Sequence, residues 1–273
     1  MTAASPTTDR ASAADRRSLT ANATLAFVLA GMVNSVLHEG AHATAGLILG
    51  LGPTISPFSV SYATDGSANE QIITASAGPV FSLVMGLVLM NAARRWGSGF
   101  GRLFWMWLSF MGVMNFVGYL FIAPFAQAGD TGKALALWGA TTPVFIASAL
   151  VGVGGQFLLA RRFAVEVKRY TRSTTEERQL AYFPWLIGTP IVIVLSLAEL
   201  LLLAVPPVVL VIVLAYSVAF GIFAPMQFIF RSKVSNTYEA LELRPVYVPG
   251  VVATVAVAVV LIALAGAGGL PLG

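Results

Sequence analysis

The sequence predicts an all-α integral membrane protein, with about seven transmembrane helices and a short β-hairpin between the first and second. Three observations predict it. Hydrophobic residues make up 57% of the chain and charged residues only 10%, against roughly 25% charged in an average soluble domain. The apolar positions gather into runs of about 20 residues, each able to cross a ~30 Å hydrocarbon core as a helix. Finally, the basic residues cluster in every second connection between those runs, as topology-setting charge does.

Taken in order, the first 22 residues are rich in Ala, Ser, Thr and Asp, a composition expected to give a disordered tail. The run at 25–51 follows Arg16 and Arg17, a pairing that invites a secretory reading. Its length, its internal His and Glu, and the further runs behind it favour a retained first span. Next comes "SPFSVSYATDGSANEQIIT", in which Phe58, Val60 and Tyr62 alternate with Ser59 and Ser61. That is a period-two strand signal, and Asp65-Gly66 is a hairpin-turn signal, so a β-hairpin at the membrane surface is expected.

Further spans are expected near 72–92, 103–125, 134–159, 183–205, 208–230 and 248–265. The polar stretch from Arg161 to Leu180 reads as part of a cytoplasmic loop, 161–182, with some helix in it. It divides a four-span front from a three-span back; a three-span core is expected over 23–135 and additional transmembrane helices over 136–273. No fixed-period repeat or inverted pair of halves is visible, so a repeat-built transporter has no support.

Charge predicts orientation. Fifteen of the sixteen Lys and Arg residues fall before the first span or in alternate connections, and Lys133 alone falls on the other side. The positive-inside rule then places the N-terminus in the cytoplasm and the C-terminus outside. Loop charge of this kind accounts for the net +4 and the pI near 9.6, so the expected partners are the lipid bilayer and a membrane-protein substrate, with no nucleic acid. The chain has no cysteine, which excludes disulfides, thiolate metal sites and cysteine nucleophiles.

The chemistry concentrates in "VLHEGAHATAGLILG", within the first span, which holds both histidines of the chain. Residues four apart share a helix face, so His38 and His42 can direct two imidazoles at one metal ion while Glu39 serves as general base. This is the HExxH arrangement of zinc hydrolases, and it calls for one Zn2+ per chain and a third protein ligand. With no further His and no Cys, that ligand must be a carboxylate. Asp65, Glu70, Asp130, Glu199 and the cytoplasmic acids are the choices. Asp130 follows the third span, which runs parallel to the first, and is preferred; Glu199 in the fifth expected span is the alternative.

"HEGAH", "SAGPVFSLVMG" opening the second span and "MNFVGYLFIAPFAQAGDTG" ending the third together resemble the three core motifs of the site-two protease family of intramembrane zinc metalloproteases. The resemblance covers roughly the first 135 residues. It implies that Asp130 completes the zinc site and that a strand bearing Phe58, Val60 and Tyr62 pairs with an unwound substrate. Asn115 is then placed to bind substrate backbone or a developing oxyanion. The third motif here has a single proline, Pro124, and Thr131 after Asp130. The expected function is an intramembrane zinc metalloprotease; the alternatives are a non-proteolytic metal-binding membrane protein and a catalytically silent regulatory scaffold.

Overall fold

Apolar length and local capping turn most of the expected runs into helices. The computed structural model describes residues 6–92, 95–203, 217–245 and 247–272. Helix α1 runs from Pro6 to Ile48. The stretch expected to be a disordered tail is therefore helical from Pro6 onward. Its alanines are strong helix formers, and the span behind it has already met the cost of nucleation. After α1 come strands β1 (Pro53–Ser56) and β2 (Ser59–Tyr62), then α2 (Ala68–Ala92) and α3 (Gly99–Ile122). The short α4 (Asp130–Leu137) precedes α5 (Thr142–Tyr170). A single turn, α6 (Thr174–Glu177), passes through a wide π turn at Arg178–Tyr182 into α7 (Phe183–Leu202). The chain ends in α8 (Phe223–Met226), α9 (Val248–Gly266) and strand β3 (Leu270–Pro271).

Six helices among the described residues are long and apolar enough to cross a membrane, as a multi-pass membrane protein requires. The expected span at 208–230 lies partly outside the described residues; its described part, Ser217–Ile229, is a shorter apolar helical stretch. A second difference concerns 161–182, which is almost wholly helical rather than a loop. Ala160, Phe163, Ala164 and Val167 recur at helical spacing and are fully buried, so α5 stays in the core through its polar end.

Helices α1, α2 and α3 pack on one another, α5 covers α3, α7 lies along α1, and α4 closes against α2 and α3. Between α2 and α3 the backbones touch. A Cβ on Gly86 would lie 2.7 Å from the Ser109 carbonyl oxygen, and one on Gly112 would lie 2.7 Å from that of Ser82. Small residues at such a crossing let van der Waals packing hold helices where lipid is as apolar as the interior. The core below the site is aromatic: Phe27 meets Trp107 edge-on at 5.1 Å, and Phe163 meets Phe110 and Phe223 at 4.9 Å each.

The three strands form an antiparallel sheet of order β2-β1-β3. Its hairpin turn is Pro57-Phe58, not Asp65-Gly66. Proline is favoured at the second position of such a turn, whereas Asp65-Gly66 leads into α2, where Ser67 and Glu70 form a reciprocal cap. The hairpin doubles back along α1. Tyr62 donates its hydroxyl to the His42 carbonyl at 3.2 Å, and Ser35 donates to the Pro57 carbonyl at 3.0 Å.

The two ends of the bundle differ in charge. At one end Arg102 and Arg169 pair with Glu239, Lys168 with Glu177, and Arg172 stacks on Tyr238. Ser18 and Asn22, near the start of the first span, donate to the Arg244 carbonyl there. The sheet and α4 lie at the other end, where Lys133 is the one basic residue among the described residues.

Candidate metal centre

Helix α1 places His38 and His42 one turn apart on a face turned into the bundle, where both are buried. Asp130 enters from the first turn of α4. The three side chains converge: His38 Nε2 lies 3.1 Å from His42 Nε2, and Asp130 Oδ2 lies 3.0 Å from the first and 3.2 Å from the second. Three ligands at ~2.0 Å from a tetrahedral ion stand about 3.3 Å apart. The observed triangle is close to that size, and among the described residues this is the group of His and carboxylate side chains able to hold a metal ion.

The outward nitrogens fix both rings. The His42 Nδ1–H donates to the Thr74 carbonyl at 2.6 Å, and His38 Nδ1 lies 3.2 Å from Ser82 Oγ. A carbonyl can only accept, so the proton sits on Nδ1 of His42 and its Nε2 offers a lone pair when the ring is neutral. That lone pair faces a carboxylate oxygen, an acceptor facing an acceptor. Either a proton on Nε2, which makes the ring an imidazolium donating to Asp130, or a metal ion between the two atoms resolves the conflict. The donor set and its spacing thus fit a bound metal ion, with outer partners of the kind that orient metal-binding imidazoles.

Helix α2 supplies those partners, with Pro79 inside the helix between them. Proline has no N–H, so the carbonyl four residues back, that of Ala75, lacks its helical donor; the Thr74 carbonyl beside it accepts from His42. Gly78 adds the room: a Cβ there would lie 2.7 Å from His38 Cε1 and from His42 Cδ2, and closer still to His42 Nε2. On the other side the Tyr119 ring lies parallel to His38 at 5.5 Å.

For Asp130, burial works to raise the carboxyl, but hydrogen bonds to His38 and His42 and their charge outweigh it, holding the group well below the usual carboxylate range. Burial pushes the Tyr62 phenol up, so it stays protonated as the donor to His42. Glu39 is buried beside the two histidines in sequence and is not part of the ligand group. Glu199 is buried on α7 and also stands outside that group. Of the other carboxylates weighed, Glu70 caps α2 and Asp65 is exposed.

Asn115 is buried on α3, and its Oδ1 has no hydrogen-bond partner. It lies one turn before Tyr119, as Asn34 lies one turn before His38. Asn34 is also buried, with both amide atoms unpartnered. Thr74, Gly78, Ser82 and Tyr119 do not follow from the motif as contacts of the histidines.

The strand residues divide by backbone direction. Leu272 donates to the Pro53 carbonyl at 2.8 Å, and Ile55 stands opposite Leu270. Successive residues of an antiparallel strand turn their main-chain groups to opposite sides. Pro53 and Ile55 therefore face β3, and Thr54 faces its partner Ser61 on β2. Val60 and Tyr62 are left with N–H and C=O directed at the open edge of β2, while Phe58 sits in the turn.

Comparison of the chain with family models, curated proteins and solved structures finds no match.

Proposed function

We propose that this chain is a membrane-embedded metalloprotease that holds one zinc ion at His38, His42 and Asp130 and hydrolyses peptide bonds of membrane-embedded or membrane-proximal substrates. The observation that carries the reading is the buried triangle of His38 Nε2, His42 Nε2 and Asp130 Oδ2, with Glu39 next in sequence to its first member. A zinc ion held there supplies Lewis-acid polarisation of a water molecule and of a substrate carbonyl. Glu39 accepts a proton from the attacking water and passes it to the leaving amine.

Thr74 and Ser82 keep the imidazoles aimed while the reaction proceeds. The free main-chain groups of Val60 and Tyr62 hold an extended peptide by strand addition, so the substrate helix must unwind before it is cut. Asn115 lends its carboxamide to the substrate backbone. The basic end of the bundle faces the cytoplasm, which puts the sheet and the site toward the outer side.

The test is Glu39→Gln in the full-length chain. The amide keeps the shape of the side chain and cannot take up the proton, so zinc should remain at one ion per chain while cleavage of a helical membrane substrate is abolished. Undiminished turnover would remove Glu39 from the role of base. Zinc bound by a native protein that cleaves no substrate would favour the second reading, a metal-holding scaffold, which the same triangle of ligands supports.

A further inference from the structure

Two cavities lie at the basic end of the bundle, and Phe183 lines both. The first, about 790 Å³, lies between α1, α7 and α9. Val28, Ile187 and Ile191 give it an apolar wall, and Ile187 and Ile191 are exposed, so the cavity opens sideways. Thr24 and Gln179 also line it, each buried and each with a side-chain oxygen that has no hydrogen-bond partner. The second cavity, about 490 Å³, is bounded by Arg178, Tyr182, Phe228 and Arg231.

The two differ in what they can accept. The first suits a hydrocarbon chain, apart from the unsatisfied oxygens, which in an apolar setting call for a polar partner. The second presents two guanidinium groups flanked by aromatic rings. Arg178 makes no ion pair among the described residues. Arg231 donates to Thr174 Oγ1 at 3.1 Å and lies 3.8 Å from Glu177, a carboxylate that Lys168 already engages. Positive charge is left over.

The spacing matches one leaflet. From Arg178 to Ile191 the chain is helical throughout, and at 1.5 Å per residue it spans roughly 20 Å. Half of a bilayer that measures about 40–45 Å with its headgroups is the same length. We propose that these neighbouring cavities, which share Phe183, bind one anionic phospholipid from the leaflet at the basic end. Its phosphate lies between Arg178 and Arg231, the Thr24 hydroxyl donates to a glycerol ester carbonyl, and one acyl chain runs past Val28 to Ile187 and Ile191. Neither the metal centre nor proteolysis enters the argument, which rests on the chain spanning a membrane.

The experiment is lipid binding to the purified full-length chain in detergent, read by native mass spectrometry with phosphatidylglycerol and phosphatidylcholine as probes. Phosphatidylglycerol should bind about thirtyfold more tightly, from two basic residues acting on one anionic headgroup. Arg178→Gln with Arg231→Gln should bring it down to the level of phosphatidylcholine, whereas Arg178→Lys with Arg231→Lys should retain most of the preference. Ile187→Trp, which fills the apolar cavity, should weaken both lipids. Equal binding of the two lipids by the native chain would overturn the proposal, as would a folded double glutamine variant with an undiminished preference. Displacement of the lipid by excess inorganic phosphate would also overturn it, by marking a site for the free anion. Should the glutamine variant fail to fold, the native preference together with Ile187→Trp decides.

Discussion

Replacing Gly78 by alanine adds one methyl group at the point where α2 meets both imidazoles. That carbon would lie 2.7 Å from His38 Cε1 and from His42 Cδ2, with His42 Nε2 nearer still. Carbon atoms in good contact stand about 3.5–4.0 Å apart, so the rings must retreat by roughly 0.8 Å or more. Metal–ligand distances tolerate only about ±0.2 Å. The rings also have little freedom to retreat, because their Nδ1 atoms are tied to Thr74 and Ser82, one turn to either side of Gly78 on the same helix. Either a metal bond or an outer hydrogen bond is lost, and loss of the outer partner alone costs about 10–100-fold in metal affinity. Gly78→Ala should therefore weaken zinc binding by about a hundredfold, read by competition with a chromophoric chelator and by metal content after dialysis. Gly154→Ala is the control, since nothing lies within 4 Å of its new carbon. Native affinity and full metal content in Gly78→Ala would refute the reasoning, and with it the placement of Gly78 against the rings.

Three further outcomes are expected. Asp130→Asn should lose more than about a hundredfold in zinc affinity while Glu199→Gln keeps native zinc content; the reverse pattern would transfer the third ligand to Glu199. Val60→Pro removes an N–H from the open edge of β2 and should slow cleavage without releasing metal, whereas Ser61→Pro breaks a bond to Thr54 and should cost about 1 kcal/mol of stability. Equal cleavage by native and Val60→Pro proteins would exclude that edge from substrate binding. Because the chain has no native cysteine, single cysteines report sidedness cleanly: Ser59→Cys should react with an impermeant thiol reagent from outside and Lys233→Cys only from the cytoplasm, and the opposite labelling would invert the assigned topology.

What could be read from the sequence follows from the range of the interactions involved. His38, Glu39 and His42 are legible because one helical turn places them and because an apolar span has few other uses for them. Asp130 could be preferred only through topology, from two parallel spans ending at the same side. Thr74 contributes a backbone carbonyl, which any residue carries, so no residue type announces it. Tyr119 and Ser82 reach His38 from other helices, whose packing on α1 depends on residues far away in sequence. The hairpin turn falls elsewhere than expected because Asp-Gly is the stronger turn signal in isolation, while Pro57-Phe58 takes the role once the strands pair. The helical character of 161–182 was written in its apolar spacing and masked by its charge.

The pairing of β1 with β3 joins positions 54 and 271, nearly the full length of the chain apart. Synthesis delivers the strands in order, β1 and β2 early and β3 after the helices described between them. Until then the Pro53 carbonyl and the main-chain groups of Ile55 stand unpaired, an edge open to any other extended segment. Closing that edge therefore waits for the segment around Leu270, so the sheet beside the two histidines ties an early part of the chain to a late one.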